Sequence, residues 1–323
     1  MMKKIILLLL LVFFVGLTNC NEDGNNPSNN EDDENTSQYQ KINTKGWVDS
    51  PWISRDGNKL YFMYSRYNFF PAILRGESPF LEGPNRQGHH NNDINPWNDS
   101  DIYVATRQSD GSWSEPLNLG SNDDKGDCCH ILVSSPDRLY LTNPSPDGTN
   151  MDIGYKELAG DIWGGFVNLG SNINSDFNED NPHILADQQG IYFTRWNAAD
   201  KRDIWFSWKD GGVWQEAVML PFPINTTDNK EDQFFISEVG DNIRDVYFNR
   251  DDKIFHSLYT VSTDTFSTPE EVIFGLDFVG EASLSDSGDK LYFASGDPET
   301  EIIRIMVSSK KANGEWGIPV PVD

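Results

Sequence analysis

Asn118-Leu119-Gly120-Ser121-Asn122 returns unchanged 50 residues later as Asn168-Leu169-Gly170-Ser171-Asn172. An Asp-Ile pair precedes each copy and recurs a third time, beginning at Asp101, Asp152 and Asp203, 51 residues apart each time. Weaker copies of that element begin at Lys253 and Glu301. Self-similarity at a period of about 50 residues is typical of a propeller, a solenoid or an array of repeats.

Each repeat contains four short apolar segments separated by polar turns. In the first repeat these segments are residues 49–54, 60–64, 101–105 and 113–117. Their Tyr, Phe, Ile, Val and Trp residues suit a pleated surface, and the turns between segments contain Asp-Gly, which favours tight reversal. No stretch beyond the N-terminal segment keeps a 3.6-residue apolar period, so we expect few helices. Four antiparallel strands per unit predict a propeller blade.

The repeat can be counted five times. A tyrosine of the second strand recurs at Tyr61, Tyr140, Tyr192, Tyr247 and Tyr292. An aromatic residue of the fourth strand recurs at Trp113, Trp163, Trp214, Phe266 and Trp316. The sequence therefore predicts an all-β, five-bladed propeller over residues 47–323, with an insertion from Arg66 to Ser100 in the first blade. Six blades are the alternative, although no sixth copy is found.

Several of these segments resemble a known family of repeats. The run Glu179-Asp180-Asn181-Pro182-His183-Ile184, followed by Tyr192-Phe193 and Asp203-Ile204-Trp205, is similar to the TolB-like (WD-type) β-propeller repeat. Ser285-Asp286-Ser287-Gly288-Asp289-Lys290-Leu291-Tyr292-Phe293 resembles the core of the same repeat, with Ser in place of its usual Pro. The resemblance implies the fold and says little about activity, because one fold supports many functions.

The N-terminus has the features of a targeting segment. Lys3 and Lys4 precede an apolar run over residues 5–15, which is short for a membrane span and typical of a signal peptide. Leu17-Thr18-Asn19-Cys20 then resembles a bacterial lipoprotein processing site, with Asn19 where small residues are usual. The resemblance implies a signal peptide over residues 1–20, a lipid on Cys20 and attachment to the outer membrane, facing either the periplasm or the surface. Plain secretion with cleavage elsewhere is the alternative.

Residues 21–46 predict a disordered acidic linker, because Asn, Ser, Glu and Asp dominate them. The whole chain has a net charge of −26. Residues 1–46 contain six of the 51 acids and four of the 25 bases, which leaves 45 acids against 21 bases in the propeller. This excess argues against nucleic acid or anionic lipid as a ligand. It leaves cationic partners, metal ions and neutral glycans open.

Acidic residues stand at the start of every predicted inner strand: Asp49, Asp127, Glu179 with Asp180, Glu231 with Asp232, and Glu281. Inner strands surround the channel of a propeller, so we expect a ring of carboxylates near one mouth. Such a ring predicts raised pKa values, a bound divalent cation, or an acid/base pair for glycoside chemistry. Alternatively, each acid bonds the turn amides of its own blade.

Two of these segments also resemble motifs of five-bladed glycoside hydrolases of the arabinanase type. They are Asp49-Ser50-Pro51-Trp52-Ile53 and the run from Glu179 to Ile184. The resemblance implies Asp49 as the general base, Glu179 as the general acid and Asp127 as the residue that tunes the acid. The match is short, and the propeller repeat accounts for the same residues.

Further binding candidates lie in two places. Asp127-Cys128-Cys129-His130 aligns with residues 180–183, so His130 and His183 are predicted at equivalent positions on neighbouring blades. The adjacent cysteines could form a disulfide, bind a soft metal with His130, or be two small buried residues. In the insertion, His89, His90 and Asp93 are candidate metal ligands, and Trp97 is a candidate for stacking on a sugar or peptide. A loop that packs its own aromatic residues is the alternative.

The sequence thus predicts a lipid-anchored envelope propeller that acts as a binding or scaffold module for a protein or carbohydrate partner. Asp180, Asp232, Glu281, His130, His183 and Trp97 are its candidate binding residues. The alternative is a surface glycoside hydrolase.

Replacing Cys20 tests the anchor. Cys20→Ala should release the protein from the membrane fraction without lowering its melting temperature, because the acylated residue lies outside the repeats. Cell fractionation followed by immunoblotting measures the distribution, with Cys129→Ala as a matched control that keeps Cys20. A Cys20→Ala protein that still sediments with membranes would contradict the lipoprotein prediction.

Overall fold

A computed structural model describes residues 41–122, 125–132, 137–145, 148–197 and 199–323. The predicted signal peptide, Cys20 and most of the predicted linker lie outside these residues. Five small antiparallel sheets form a ring, so the prediction of a five-bladed propeller is confirmed and the six-bladed alternative is not needed. Within the part of the chain that is described, no helix is long and apolar enough to cross a membrane.

The blades follow one another along the chain. Blade one and its insertion contain β1 Trp47–Ile53, β2 Lys59–Ser65, β3 Tyr67–Asn68, α1 Phe70–Arg75, β4 Phe80–Leu81, β5 Ser100–Thr106 and β6 Leu117–Asn118. Blade two contains β7 Cys128–Leu132, β8 Arg138–Pro144, β9 Met151–Ala159, β10 Ile162–Trp163 and β11 Val167–Asn168. Blade three contains β12 Asn178–Ile184, β13 Gly190–Trp196, β14 Arg202–Asp210, β15 Val213–Trp214 and β16 Val218–Met219.

Blade four contains β17 Glu231–Ile236, β18 Ile243–Arg250, β19 Lys253–Thr260, β20 Thr265–Phe266 and β21 Glu270–Glu271. Blade five contains β22 Phe278–Leu284, β23 Lys290–Asp297, β24 Ile302–Ser309 and β25 Val320–Pro321. In blades two, three and four the outer strand is split into two short pieces that both pair with the third strand. The first strand of each blade is the inner strand and lines the channel.

The repeated Asn-Leu-Gly segment ends the outer strand of blades one and two through side-chain bonds. The Asn118 amide donates to Asp101 at 2.9 Å, and its oxygen accepts the Gly120 N–H at 2.7 Å. In the next blade Asn168 donates to Asp152 at 2.6 Å. The Asp-Ile and Asn-Leu-Gly elements are therefore two halves of one contact between the third and fourth strands.

The fourth-strand aromatic of each blade packs on the preceding blade. Trp214 of blade three lies in a buried cluster with Tyr140 and Ile153 of blade two. Trp113 of blade one packs on Tyr292 of blade five, with ring centroids 6.5 Å apart, so the same contact closes the ring. The other pairs that share a cluster are Trp163 with Tyr61, Phe266 with Tyr192, and Trp316 with Tyr247. The two recurring aromatic positions of the sequence are thus the two sides of every blade interface.

The N-terminal residues complete this closure. Asn43 donates to the carbonyl of Ile305 at 3.0 Å and accepts its N–H at 2.7 Å. Asn174 makes the same pair of bonds with Ile153, at 2.8 Å each. The predicted linker extended to residue 46, but Ile42 and Asn43 are buried. From residue 41 onward, therefore, the chain belongs to the propeller and ties blade one to blade five.

Every inner strand carries the same β-bulge. In blade one, Asp49 pairs with Met63 and Trp52 pairs with Tyr61, so two residues of β1 lie opposite Phe62. The first bulge residue has φ between 49° and 60° in all five blades; these residues are Ser50, Cys129, Asn181, Gln233 and Glu281. A positive φ is uncommon for residues other than glycine, so each blade holds strain at the wall of the channel.

The insertion of blade one folds back on the propeller. Phe70 of α1 packs on Trp47 with ring centroids 5.1 Å apart, and both belong to a buried cluster that includes Cys128 and Ala294. Asp99 is fully buried and holds the insertion through the Arg66 guanidinium, whose Nε lies 3.0 Å away. The insertion therefore packs against residues of blades one, two and five.

The interface role of Trp214 predicts a large loss of stability on truncation. Trp214→Ala should lower the free energy of unfolding by about 3–5 kcal/mol, because it removes a buried aromatic side chain between two blades. Trp208→Ala is the matched control, since that side chain is 43% exposed on the same blade. Urea melts of both variants give the comparison. Equal losses, or a loss below about 1 kcal/mol for Trp214→Ala, would contradict the interface assignment.

Candidate functional site

The five left-handed bulge residues divide the channel into two ends. One end, here called the acidic end, is lined by Trp47, Asp49, Asp180 and Arg202, together with four of the five bulge residues. The other, here called the aromatic end, is lined by Trp52, His130, His183 and Phe235. The aromatic end is a recess that opens to solvent and has a cavity volume of about 60 Å³. It is therefore smaller than the usual site for a drug-sized ligand, roughly 300–1,000 Å³, and has room for a small polar group.

The bulge fixes which residues are equivalent between blades. It separates the predicted ring of acids into three positions. Two residues before the bulge stand Asp127, Glu179 and Glu231; directly before it stand Asp49, Asp180 and Asp232; on it stands Glu281. By the same register His130 is equivalent to Pro182, so the predicted equivalence of His130 and His183 is wrong by one residue. A one-residue offset in a strand turns a side chain to the other face.

Acids of the first position form structural ion pairs. Glu179 accepts from Arg195 Nε at 2.6 Å and from the backbone N–H of Ser175 at 3.0 Å. Asp127 pairs with Lys156 Nζ at 2.6 Å. Both carboxylates are fully buried and lie outside the linings of the two ends. The alternative stated above, in which each acid bonds the turn amides of its own blade, holds for Glu179. Its carboxylate accepts a backbone N–H from the turn that precedes its own strand.

The remaining acids converge on the acidic end. Asp49 accepts from Trp47 Nε1 at 2.5 Å, and Asp180 accepts from Thr142 Oγ1 at 2.9 Å. Glu281 belongs to the neighbouring blade and accepts the N–H of Ser50 at 2.6 Å. Glu281 therefore joins blade five to blade one beside Asp49, at the place where the ring closes.

Burial makes these carboxyl groups hard to ionise. Loss of hydration raises the pKa of Asp49 to about 7 and that of Asp180 to about 6. Loss of hydration and the nearby Asp49 raise the pKa of Glu281 well above its ordinary value. Burial also raises the pKa of Asp232, although Arg202 opposes this from 2.9 Å. Close carboxylates that share little water hold protons near neutral pH.

Arg202 is the basic side chain of this end. Its Nη1 donates to Asp232 at 2.9 Å and its Nε donates to Asp200 at 2.9 Å. The guanidinium carbon lies 4.8 Å from the centre of the Trp196 ring. Arg202 was not among the candidates that the sequence suggested. The repeat did contain a signal for it. Arg202 is basic, whereas the equivalent positions of the first two blades are occupied by Ser100 and Met151.

The histidines of the aromatic end are buried and neutral. His183 Nε2 lies 3.2 Å from the Ile236 carbonyl, and its ring packs 4.9 Å from that of Phe235. Burial lowers the pKa of His183 to about 4 and that of His130 to about 3. Neither ring nitrogen of His130 has a hydrogen-bond partner among the described residues. Cys128 and Cys129, directly before it, are buried and joined as a vicinal disulfide.

The candidates in the insertion have other partners. His89 lies between Asp99, at 3.0 Å, and Asp101, at 3.1 Å, and these carboxylates raise its pKa to about 9 against the opposing effect of burial. Asp93 pairs with Arg66 at 2.6 Å. The backbone N–H of His90 donates a hydrogen bond to Asp101 at 2.7 Å.

Trp97 stacks on Phe69, with ring centroids 4.7 Å apart, which agrees with a loop that packs its own aromatic residues. Across the described ranges, no three His, Cys, Asp or Glu side chains are arranged to hold a metal ion.

Comparisons by sequence and by structure give different results. No protein-family model matches the chain, and a search of curated protein sequences finds no match. Among solved structures, the chain is similar to a thermostable family-43 glycoside hydrolase, with a TM-score of 0.52 and 12% identity, over 85% of this chain and 93% of the other.

The chain is also similar to a family-43 endo-arabinanase from Bacillus licheniformis, with a TM-score of 0.49 and 13% identity, over 85% of this chain and 99% of the other. A protein assigned as TolB from Agrobacterium tumefaciens matches with a TM-score of 0.46 and 14% identity, over 87% of this chain and 82% of the other. At these identities the likeness shows the fold alone.

The acidic end predicts a stability that falls with rising pH. Asp49 has a folded pKa of about 7, above its ordinary 3.8, so the folded state keeps a proton that the unfolded chain releases. Its contribution is present at low pH and is lost as pH rises through about 7, which amounts to about 1 kcal/mol between pH 6 and pH 8.

Urea melts at both pH values measure this difference. His89, with a pKa of about 9, acts in the same direction, so the difference between the native protein and Asp49→Asn isolates Asp49. His130 and His183, whose pKa values are lowered by burial, act in the opposite direction and are common to both proteins. Relative to Asp49→Asn, the native protein should therefore lose about 1 kcal/mol more stability between pH 6 and pH 8. Equal changes in the two proteins would contradict the assignment.

Proposed function

We propose that this protein is an envelope-anchored binding module whose ligand site is the aromatic end of the channel. The observation that carries the proposal is the character of this recess. It opens to solvent, its walls include Trp52 and Phe235, and it offers the polar side chains of Asn181, Gln233 and Glu281. A concave, mostly apolar site with a few convergent polar groups is the usual form of a ligand site.

The state of the catalytic candidates supports binding over glycoside hydrolysis. A glycosidase needs two carboxyl groups that flank the scissile bond, about 5–5.5 Å or 6.5–9.5 Å apart. Asp127 and Glu179 are fully buried, and each is held by a basic side chain. They stabilise the blades through these pairs, and a glycan in the recess would not reach them.

The location of the protein belongs to the proposal as well. The basic start, the apolar run over residues 5–15 and Cys20 favour export and acylation. The propeller begins near residue 41, so about 20 residues of polar chain separate the anchor from the domain. A polar chain of that length would hold the recess away from the membrane and accessible to a partner.

A second candidate function rests on a different pair of acids. Asp49 and Glu281 both line the acidic end, and burial raises the pKa of each. A carboxyl group that stays protonated near neutral pH is the form that a general acid requires. If this protein hydrolyses a glycan, we propose Asp49 and Glu281 for the chemistry in place of Asp127 and Glu179.

One comparison separates binding at the recess from the alternatives. Trp52→Ala should weaken binding of the partner by at least tenfold, because it removes an aromatic wall. Trp208→Ala, on the outside of blade three, should leave binding unchanged. Isothermal titration with purified polysaccharides and envelope peptides measures affinity, and the released reducing sugar is assayed in the same samples.

Three outcomes are informative. Binding that depends on Trp52 without sugar release supports the binding module. Sugar release that is lost in Asp49→Asn supports the hydrolase. Binding that is equal in Trp52→Ala and Trp208→Ala would overturn the assignment of the site.

A further inference from the structure

The recess contains a buried histidine with no partner. His130 lines the aromatic end and is 6% exposed. Both of its ring nitrogens lack a hydrogen-bond partner among the described residues. A neutral imidazole has one nitrogen that donates and one that accepts, and leaving either unsatisfied inside a protein is costly. The unpartnered ring therefore points to a ligand that brings hydrogen-bonding groups into the recess.

The charges around the recess favour a cation. Glu281 is the acidic residue of the recess lining, and its side chain is partly exposed. Behind it, across the ring of bulge residues, lie Asp49, Asp180 and Asp232, with Arg202 already paired to Asp232. Asp180 is ionised at pH 7, because its pKa is about 6, and Asp49, with a pKa of about 7, is half ionised. These charges would repel an anion and attract an ammonium group that enters from the open side, and that group would displace the proton held by Glu281.

Among the described residues, no lysine or arginine lines the recess. Arg55, which is near His183, forms an ion pair with Glu238 at 2.5 Å and so adds no net charge. His130 and His183 are neutral at pH 7, because burial lowers the pKa of each. The long-range field has the same sign, since the chain as a whole carries a net charge of −26.

The walls also suit a cation. Trp52 and Phe235 line opposite parts of the recess on blades one and four, and both are partly exposed. An ammonium group within about 6 Å of such a ring is attracted to its face. We infer that the aromatic end binds a primary ammonium group, which donates to Glu281 and His130 and packs against Trp52 and Phe235.

This inference deepens the proposed function and rests on it. It specifies the chemistry that the partner presents, and two sources share that chemistry: a free diamine, and a lysine side chain of a partner protein. The described residues offer no set of three ligands for a metal ion, so an organic cation fits the recess better than a divalent metal. A neutral sugar, which the sequence left open, becomes one outcome of the test.

The experiment compares probes of one length and different charge. Isothermal titration of the full chain in detergent would use 1,4-diaminobutane, 1,4-butanediol and succinate at pH 7 and low salt. We expect saturable binding of the diamine at least tenfold tighter than that of the diol, and no binding of succinate. Nα-acetyl-lysine-N-methylamide distinguishes the sources, because binding equal to or tighter than that of the diamine indicates a lysine side chain.

A matched pair of variants locates the site. Glu281→Gln should weaken diamine binding at least tenfold, whereas Glu299→Gln, which removes an exposed charge of the same blade, should leave it unchanged. Melting curves report whether each variant folds. If Glu281→Gln does not fold, His130→Leu replaces it with the same expectation.

The inference would be overturned if the diamine and the diol bound with equal affinity. It would also be overturned if the diamine still bound to both Glu281→Gln and His130→Leu. If a polysaccharide binds in a Trp52-dependent manner and the diamine does not bind, this inference is wrong and the proposed function is still supported. If neither the polysaccharide nor the diamine binds, the recess is not the ligand site.

Discussion

The packing of one aromatic residue on the preceding blade is the contact on which this structure depends. Each blade places its fourth-strand tryptophan or phenylalanine against the second-strand tyrosine of the blade before it, as Trp214 does with Tyr140. A single four-stranded sheet of this size cannot bury its own faces, so a blade gains stability from its neighbours. Five such contacts bring Trp113 round to Tyr292. The ring closes because the last interface is made in the same way as the others.

The bulge of the inner strand converts this ring into a site. It places one left-handed residue of every blade at the channel wall, and these five residues separate an acidic end from an aromatic one. The strain is held by the packing of the blades on either side, since isolated strands would relax it. Because the five positions are occupied by Ser50, Cys129, Asn181, Gln233 and Glu281, the repeat supplies the geometry and the individual residues supply the chemistry.

The acids show how the same local sequence serves two purposes. Glu179 and Asp180 are adjacent in the chain, yet Glu179 is buried in a pair with Arg195 while Asp180 lines the channel. Alternation of side chains along a strand sends them to opposite faces. One set of carboxylates stabilises the blades, and the other creates the negative field that we assign to recognition. This division explains how the acids that recur in every blade serve both the packing of the blades and the wall of the channel.

Repetition in the sequence was sufficient to predict the strands, the five blades, the insertion of blade one and the two recurring aromatic positions, because each depends on a local pattern that recurs about every 50 residues. That these aromatic residues meet across the blade interfaces was shown by the structure. Much of the site could not be predicted in this way. The sequence identified Asp49, Asp180, Asp232, Glu281, His130 and His183 as candidates, and the structure places them at or beside the channel. It could not separate them from Asp127 and Glu179, nor could it identify Trp52 and Arg202 as their neighbours.

Sequence by itself therefore determined the repeat and the number of blades, which local periodicity encodes. Only the tertiary structure decided which carboxylates are paired, which share protons and which face the recess. The reason is physical: a one-residue bulge reverses the face on which a side chain lies. The burial that raises the pKa of Asp49, and the pairing that holds Glu179, come from residues on other strands and other blades.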